Sequence, residues 1–299
     1  MTFEAIVIGG SYAGLSAGLQ LARARRKILM IDAGLRRNRF AGHSHGFLGQ
    51  DGREPGQIAD EARRQLMAYP SVEWLAQSAI GVKKEAGGFI VSTQDRRSFH
   101  GLRLILATGV VDELPGIPGL QERWGKQVFH CPYCHGYELN GGPIGVLAAS
   151  PGAIHHAMML PDWGPTTFFL NQVFEPDSEQ LAGLAARGVL LEREVVIAMG
   201  GDTQINVTLA DGRVCKLAGV FTQPRTRMAS PIAAALGCEF EEGPTGPFIK
   251  VDAMRETSVS GVFACGDASL AAGTVAIAVG EGARTGSAVH HSLIYRHAR

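Results

Sequence analysis

Short apolar runs that end at glycine alternate with amphipathic segments in the first part of the chain. Residues 4–8 read Glu-Ala-Ile-Val-Ile and stop at Gly9, a pattern that predicts a buried parallel strand. A helix is predicted from about Ala13 to Arg25, and the apolar run at 28–31 predicts a second strand. This succession predicts a βαβ unit with a parallel sheet, which places the chain in the α/β class.

The later segments predict a chain that crosses between two domains. Residues 71–99 contain several short strand-like runs, and residues 102–107 form another buried strand. Residues 112–119 carry two prolines and two glycines, which indicates a first crossing between domains. A second strand–turn–helix unit begins at 143–148, and a second crossing is predicted near 242–246.

Composition narrows the class of protein. A chain of 299 residues suggests two domains, at roughly 100–200 residues per domain. The 28 basic and 28 acidic residues cancel, which argues against nucleic acid or an anionic membrane as partner. The sequence has neither a membrane-spanning apolar run nor the start of a signal peptide. We therefore expect a cytoplasmic protein, in which the five cysteines indicate chemistry rather than structural disulfides.

A glycine motif lies between the first strand and the first helix. Residues 9–14 read Gly-Gly-Ser-Tyr-Ala-Gly and match G-x-G-x-x-G except at Ser11. Gly9 permits the tight turn, Gly14 permits close packing, and the N–H groups of the helix start bind pyrophosphate. Asp32 ends the second strand, where a carboxylate binds ribose. These features predict a dinucleotide site; the alternative is a tight turn with an incidental aspartate.

Two cysteines separated by two residues form the centre of the sequence His-Cys-Pro-Tyr-Cys-His-Gly at 130–136. Cys131 and Cys134 can close a small disulfide, and neighbours commonly lower the pKa of one such thiol. His130 and His135 can take or return protons near neutral pH. We predict that these four residues are catalytic.

The cysteine motif has four other interpretations. A zinc site would need about four ligands, and the chain has no second cysteine pair, so we predict no metal site. The C-x-x-C-H pattern also attaches c-type haem, which would require an exported chain and an axial ligand. Cys-Pro-Tyr-Cys is similar to the glutaredoxin motif, which follows the first strand of a small domain. The fourth interpretation is a pair of inert, buried cysteines. We interpret the other three cysteines, Cys215, Cys238 and Cys265, as bystanders.

Two further motifs suggest FAD. Ala107-Thr108-Gly109 and Gly266-Asp267 each follow a predicted strand and resemble flavin-binding elements of flavoproteins with two dinucleotide domains. With the glycine motif, the inserted C-x-x-C and the ending Gly280-Glu281-Gly282, the chain resembles low-molecular-weight thioredoxin reductases over nearly its whole length.

The resemblance implies an α/β fold of two Rossmann-like dinucleotide-binding domains. The FAD domain would be discontinuous, at 1–112 and 245–299, and an NAD(P)-type domain at 113–244 would carry the cysteines. Cys134 would face the flavin and Cys131 would exchange with substrate. The resemblance also implies a homodimer.

The resemblance implies which residues contact FAD. In the family, the aspartate that corresponds to Asp267 bonds the ribityl–phosphate region, and the next helix, from about Thr274, points at the flavin pyrimidine ring. The implied FAD-binding residues are Gly9, Ser11, Ala13, Gly14, Asp32, Ala33, Asn38, Arg39, His45, Ala79, Ala107, Thr108, Gly109, Gly266, Asp267, Val275 and Ala276.

The second dinucleotide site departs from the family pattern. Residues 148–153 read Ala-Ala-Ser-Pro-Gly-Ala where the family has a glycine-rich phosphate turn, and Pro151 removes an N–H group. Residues 168–172 read Phe-Phe-Leu-Asn-Gln, without the arginines that would hold a 2′-phosphate. We therefore expect that NADPH is not a tight, specific cofactor.

His135 is a second departure, because thioredoxin reductases have aspartate after the second cysteine. A histidine there, with residues 37–39 and 43–48, resembles the dithiol oxidases of the same fold, which close disulfides in small natural products such as gliotoxin, holomycin and romidepsin. His43 and His45 either hydrogen-bond within their loop or line the flavin or substrate cleft.

The resemblance to dithiol oxidases predicts the reaction. We expect a thiol oxidase that forms a disulfide in a small-molecule or peptide dithiol and uses dioxygen as electron acceptor. One alternative is a thioredoxin reductase-like disulfide reductase fed by NAD(P)H or ferredoxin. The other is a flavoprotein redox sensor without catalysis.

Overall fold

The computed structural model describes residues 2–295, which form two compact units. The first unit contains residues 2–39, 55–111 and 226–295, and the second contains residues 40–54 and 112–225. Met1 and residues 296–299, which the predicted FAD domain includes, lie outside the described residues.

The described chain contains strands and helices in alternation. The strands are β1 Thr2–Ile8, β2 Ile28–Asp32, β3 Val72–Ala76, β4 Ala79–Glu85, β5 Gly88–Thr93, β6 Ser98–Leu106, β7 Val110–Glu113, β8 Val128–Phe129, β9 Ile144–Leu147, β10 Thr166–Phe169, β11 Leu190–Glu192, β12 Val196–Gly200, β13 Ile205–Leu209, β14 Val214–Leu217, β15 Gly219–Thr222, β16 Arg225–Met228, β17 Phe240–Glu242, β18 Pro247–Ile249 and β19 Val262–Ala264. The helices are α1 Tyr12–Arg23, α2 Pro55–Met67, α3 Leu120–Arg123, α4 Pro132–His135, α5 Ala153–Met159, α6 Ser178–Ala186, α7 Ile232–Ala235 and α8 Val275–Tyr295. Short 3₁₀ turns lie at Arg37–Phe40, Tyr137–Leu139, Leu160–Asp162 and Gly266–Ser269.

The first unit is built on a seven-stranded sheet. Strands β3, β2, β1, β6 and β19 are parallel neighbours in that order. The first half of β6 pairs antiparallel with β5, and β5 pairs antiparallel with β4. Because the carboxyl ends of the parallel strands share one edge, the turns after β1, β2, β6 and β19 meet there.

Helices α1 and α8 pack closely against each other in the first unit. A Cβ atom at Gly282 would overlap the carbonyl oxygen of Ala13, and one at Gly286 would overlap the carbonyl oxygen of Ala17. Glycine at these two positions lets the backbones of the helices approach closely. The helix that carries the glycine motif is thereby fixed by the C-terminal helix.

The second unit has its own parallel sheet, with strand order β11-β10-β9-β15-β8. A separate antiparallel sheet, with strand order β12-β13-β14, also belongs to the second unit. Its buried side chains form two clusters, one centred on Phe169 and Val220 and the other on Phe168 and Phe221. The second unit therefore has a separate core, as an independent domain does.

The contact-based boundaries differ from the predicted domains in two places. Residues 226–244, predicted in the NAD(P)-type domain, belong to the first unit, because Thr226 N donates to Thr245 O (2.7 Å) and Ala229 N donates to Gly109 O (3.2 Å). Residues 40–54 belong to the second unit, although the prediction placed them in the FAD domain. The composition of neither segment indicates which of the two units it belongs to.

No helix among residues 2–295 is long and apolar enough to cross a membrane.

Candidate active site

The turn between β1 and α1 has the close backbone contacts that a dinucleotide turn requires. Gly9 has φ +106°, and a Cβ atom there would overlap the carbonyl oxygen of Ala107. A Cβ atom at Gly14 would overlap the carbonyl oxygen of Gly9. Helix α1 begins at Tyr12, directly after Ser11. The N–H groups of a twelve-residue helix are therefore presented at the strand edge, where a pyrophosphate binds.

Asp32 is held at the edge of a cavity in the first unit. Its Oδ1 accepts a hydrogen bond from Gly10 N (3.0 Å). The cavity has a volume of about 290 Å³ and is lined by Asp32, Ala33, Gln77, Ser78 and Gln94 together with Arg63 and Trp74. The Arg63 guanidinium lies 4.3 Å from the centroid of the Trp74 ring. A cavity with a carboxylate at its rim and polar amides on its wall suits the adenosine part of a dinucleotide.

The predicted flavin residues Asn38 and Arg39, which follow β2, are positioned by hydrogen bonds. Asn38 Nδ2 donates to the Tyr12 hydroxyl (3.1 Å), and that hydroxyl donates to Pro55 O (2.9 Å). Arg39 Nη1 donates to Arg36 O (2.7 Å). Ala79 is the first residue of β4 and follows the cavity residue Ser78.

Asp267 lies in the 3₁₀ turn after β19. Its Oδ2 pairs with Arg37 Nη1 at 2.8 Å, an ion pair that is about a quarter exposed. A Cβ atom at Gly273 would overlap Asp267 Oδ1, so the chain passes directly over the carboxylate. Helix α8 begins at Val275, where Thr274 O accepts a hydrogen bond from Ala278 N (2.9 Å).

A buried ion pair supports this turn. Arg255 Nη2 lies 2.7 Å from Glu281 Oε2 on α8 and donates to Ser269 Oγ (2.7 Å). Cys265, immediately before the turn, is fully buried, and burial raises the pKa of its thiol to about 12. Burial also raises the pKa of Cys238 and of Cys215. The three cysteines outside the motif are therefore poor nucleophiles at neutral pH.

Cys131 and Cys134 form a disulfide in the second unit, with their Cα atoms 5.3 Å apart. Cys131 is the N-cap residue of α4, and Pro132 occupies the first helical position, which suits its missing N–H. Cys134 N donates to Cys131 O (3.2 Å). Tyr133 between them is 72% exposed, and its ring meets Trp163 edge-on at 5.5 Å. The structure thus closes the motif as a disulfide at the start of α4, and its redox activity stays a prediction.

His135 is the last residue of α4. Its ring stacks on Phe129 with 4.4 Å between the ring centroids. Burial lowers its pKa to about 4, the nearby charge of Glu138 opposes this, and His45 adds to the lowering. At neutral pH the imidazole is therefore uncharged and can accept a proton.

His130 lies beside the buried His156. The ring of His130 meets that of His156 on α5 at 6.1 Å between centroids, close to edge-on. Burial, with smaller contributions from His130 and His155, lowers the pKa of His156 to about 4. The predicted catalytic histidines, His130 and His135, therefore come together with the cysteine pair in one unit.

His45 lies in the second unit, although the resemblance implies that it contacts FAD. Its Nε2 lies 3.4 Å from Glu138 Oε1, and its Nδ1 lies 3.6 Å from Asp51 Oδ1. Its predicted contact with the flavin stays a prediction.

The second strand–turn–helix, β9 to α5, is closed by its own hydrogen bonds. Ala153 N donates to Ser150 O (3.1 Å), Ile154 N to Pro151 O (3.3 Å) and His155 N to Gly152 O (3.1 Å). These are the N–H groups that a phosphate-binding turn would direct at its ligand. The turn is thus built differently from its counterpart after β1.

The residues of the first unit fit FAD. The glycine contacts at positions 9 and 14, the carboxylate at 32 and the adjoining cavity are those that an adenine dinucleotide requires. Ala107, Thr108 and Gly109 follow β6 at the same strand edge as Gly266. Among residues 2–295, no group of three or more His, Cys, Asp or Glu side chains could hold a metal ion.

Sequence reasoning missed several residues that the structure places at these sites. Gly10 must be small because a Cβ atom there would overlap the Trp74 ring. Arg37 pairs with Asp267, and Glu138 faces His45, across long stretches of sequence. Gly10 lies at a variable position inside the glycine motif, and Arg37 lies in the segment 37–39 that resembles the dithiol oxidases; the two pairings themselves depend on tertiary structure.

The chain matches the pyridine nucleotide-disulphide oxidoreductase family over residues 3–282. It is 30% identical to "Thioredoxin reductase sirT" of Leptosphaeria maculans, over 98% of this chain and 94% of the relative. Among solved structures, an oxidoreductase from Agrobacterium tumefaciens is 57% identical, with a TM-score of 0.96 and 99% of each chain covered. HlmI is 34% identical, with a TM-score of 0.91, over 99% of this chain and 94% of its own.

The chain therefore belongs to the pyridine nucleotide-disulphide oxidoreductase family. Within it, the protein is a thioredoxin reductase-like, FAD-dependent disulfide oxidoreductase. The predicted fold class, the predicted cofactor FAD and the predicted family resemblance are confirmed.

Proposed function

We propose that the protein is a dithiol oxidase, which forms a disulfide in a small-molecule or peptide dithiol and delivers the electrons to dioxygen. The observation that carries this proposal is the second phosphate turn, whose N–H groups at 153–155 are bonded within the turn itself. A domain built this way is a poor site for NADPH. The electrons therefore come from the thiol groups of the substrate. The first unit then corresponds to the FAD domain and the second to the NAD(P)-type domain.

The reaction begins at the Cys131–Cys134 disulfide. A substrate thiolate attacks Cys131 Sγ, the Cys131–Cys134 bond breaks, and Cys134 leaves as a thiolate. The second substrate thiolate then attacks the substrate sulfur of the mixed disulfide and releases Cys131, so the substrate leaves as a disulfide. His135, uncharged at neutral pH, accepts a proton from the thiols, and His130 assists.

FAD, when bound, supplies the acceptor that takes two electrons from the cysteine pair and passes them to dioxygen, which becomes peroxide. The protein would hold it through the β1–α1 turn, Asp32 and the turn that carries Asp267. One dithiol and one dioxygen thus give one disulfide and one hydrogen peroxide. The residues of the chain bind and orient the reactants and transfer protons.

A disulfide reductase is the second candidate. The observation that favours it is that the relative in Leptosphaeria maculans bears the name thioredoxin reductase. In this case electrons would flow from NAD(P)H or ferredoxin to a disulfide partner. Its signature is bleaching of the flavin by one of these donors.

Anaerobic mixing of the yellow holoprotein with NADPH, NADH or dithiothreitol, in separate experiments, distinguishes the two candidates. We expect dithiothreitol alone to bleach the flavin absorbance, and air to restore it with one peroxide formed per flavin. Fast bleaching by NADPH would overturn the proposal in favour of a reductase. Bleaching by none of the three would leave a redox sensor as the better description.

We further expect a homodimer located in the cytoplasm, as the resemblance and the composition suggest.

A further inference from the structure

Arg255 has a backbone conformation that residues other than glycine rarely adopt. Its φ is +61°, in the left-handed region. The turn that contains it is closed by Asp252, whose Oδ1 accepts hydrogen bonds from Met254 N (2.8 Å) and Glu256 N (2.9 Å). The carbonyl oxygen of Arg255 accepts a hydrogen bond from Ala264 N (3.1 Å), at the end of β19. Because this conformation costs stability, the surrounding contacts must hold Arg255 in it.

The Arg255 side chain joins two elements of the predicted flavin site. Its Nη2 lies 2.7 Å from Glu281 Oε2 on α8. The same Nη2 donates to Ser269 Oγ (2.7 Å), and that hydroxyl donates to Gly266 O (3.4 Å). Gly266 and Ser269 are the first and last residues of the 3₁₀ turn that contains Asp267. One guanidinium group therefore connects helix α8 to both ends of this turn.

The ion pair of Arg255 and Glu281 is largely removed from solvent. Their side chains are 8% and 18% exposed. Replacing a buried ion pair with apolar side chains of similar volume often leaves the stability of a protein unchanged or raises it, because burial removes both charges from water. The contribution of the pair to stability is therefore not a sufficient reason for a strained arginine at this position.

We propose that Arg255 and Glu281 are positioning residues for FAD: their ion pair holds the turn of Asp267 and the first turns of α8 in the arrangement that binds the cofactor. Ser269 transmits the contact from the guanidinium group to the turn. A site that is ordered before FAD arrives binds it more tightly, because binding then orders less of the chain. This inference concerns the cofactor alone and is independent of the source of the electrons.

The test separates FAD binding from stability. Arg255→Met leaves the buried Glu281 carboxylate without this partner, so this variant is expected to lose stability. In Arg255→Met/Glu281→Leu, apolar side chains replace both members of the pair. The flavin-free chain of the double variant should unfold at or above the wild-type temperature. Its Kd for FAD should nevertheless rise roughly tenfold, which corresponds to ordering about one residue of the turn on binding.

Two measurements are needed for each variant. Stepwise dilution of the holoprotein, followed by the fluorescence of the released flavin, gives the Kd for FAD. Thermal unfolding is measured on the full chain without flavin, because bound FAD would itself raise the unfolding temperature.

Arg284→Met is the matched control for the ion pair. Arg284 Nη1 lies 3.9 Å from Glu281 Oε1, but this side chain is 55% exposed and its Nη2 donates to Ala253 O (2.8 Å). The control removes a positive charge near the same carboxylate and keeps the contact with the turn of Asp267. Its Kd for FAD should equal that of the wild-type protein.

Ser269→Ala tests the link between the guanidinium group and the turn. This variant keeps the ion pair and removes the hydroxyl group that joins it to the turn, so its Kd for FAD should also rise. Ser287→Ala, which replaces an exposed serine of α8, serves as its control and should not change the Kd. An unchanged Kd in Ser269→Ala would overturn the proposed link.

The double variant decides the proposal. Arg255→Met/Glu281→Leu that binds FAD as tightly as the wild-type protein would overturn it. The same holds if the flavin-free double variant unfolds below the wild-type temperature and binds FAD more weakly, because a merely structural role predicts the loss of both. Weaker binding with stability retained supports positioning of the cofactor.

Discussion

His135 and His156 are two histidines of the second unit that are uncharged at neutral pH, the first partly buried and the second buried. Burial lowers the pKa of both His135 and His156 to about 4. His135 adjoins the cysteine pair, whereas His156 lies behind His130 on α5. Nδ1 of His156 has no hydrogen-bond partner among the described residues. Burial disfavours the charged form of an imidazole, so protonation of these rings in acidic solution destabilises the folded protein.

Acidification should therefore weaken the fold. Between pH 6.5 and pH 4 the unfolded chain binds protons that the folded chain does not, so stability is retained above 6.5 and lost as the pH falls. His156 alone should lower the free energy of unfolding by up to about 3 kcal/mol across this range. Urea unfolding at about pH 7, 5.5 and 4.5 measures this dependence.

His156→Phe removes one of the two titrating groups and should flatten the pH dependence by about half. His291→Asn, which replaces an exposed histidine of α8, serves as its control and should leave the dependence unchanged. An equal slope in the wild-type protein and His156→Phe would contradict the assignment of this loss to His156.

At the scale of elements, the contact between α1 and α8 connects the C-terminal helix to the glycine motif. Gly282 lies directly against the carbonyl of Ala13, whereas Gly280, two residues earlier, has no atom within 4 Å of its Cβ position among the described residues. A methyl group added at Gly282 would therefore overlap α1, whereas one added at Gly280 would not.

Gly282→Ala should therefore lower the free energy of unfolding by about 1–3 kcal/mol and reduce the flavin content, because it displaces the start of α1. Gly280→Ala should leave the flavin content unchanged and raise the stability by up to about 1 kcal/mol, through helix propensity. Flavin absorbance relative to protein, with thermal unfolding, measures both. Equal effects of the two substitutions would show that the helix contact does not act on the flavin site.

Local sequence was sufficient for the elements around the glycine motif. The predicted strand at 4–8 and helix at 13–25 correspond to β1 and α1, within two residues of each boundary. These elements have strong periodicity and turn at glycine, so neighbouring residues decide them. The placement of 40–54 in the second unit depends on Phe40 and His45, whose partners lie far along the chain.

At the scale of the whole molecule, the predicted flavin residues other than His45 lie in the first unit, and the cysteine pair lies in the second. Asp32, Asp267 and the β1–α1 turn are in the first unit, and Cys131, Cys134 and His135 are in the second. The family resemblance implies a second boundary near 245, whereas the first unit of the structure resumes at Thr226, and hydrogen bonds join Thr226 to Thr245 and Ala229 to Gly109. Composition alone could not locate those bonds.

The division predicts that flavin binding and turnover can be separated. Cys131→Ser and Cys134→Ser should each abolish dithiol oxidation and leave the flavin content at the wild-type value, because neither side chain belongs to the unit that holds FAD. Peroxide formation and flavin absorbance, measured on the same samples, test this. Turnover by Cys134→Ser, or loss of flavin from both variants, would contradict it.

The hydrogen-bonded turn at 150–155 has a consequence for how the proposed enzyme uses reducing equivalents. An enzyme that both accepted nicotinamide electrons and gave them to dioxygen would waste the cell's reducing power as peroxide, whether or not substrate was present. The N–H groups of residues 153–155 donate to carbonyl oxygens within that turn, and under the proposed function the turn does not hold the phosphates of a nicotinamide cofactor. Under the proposed function, disulfide formation is thereby insulated from the reductant pool, and oxygen is consumed only when a dithiol arrives.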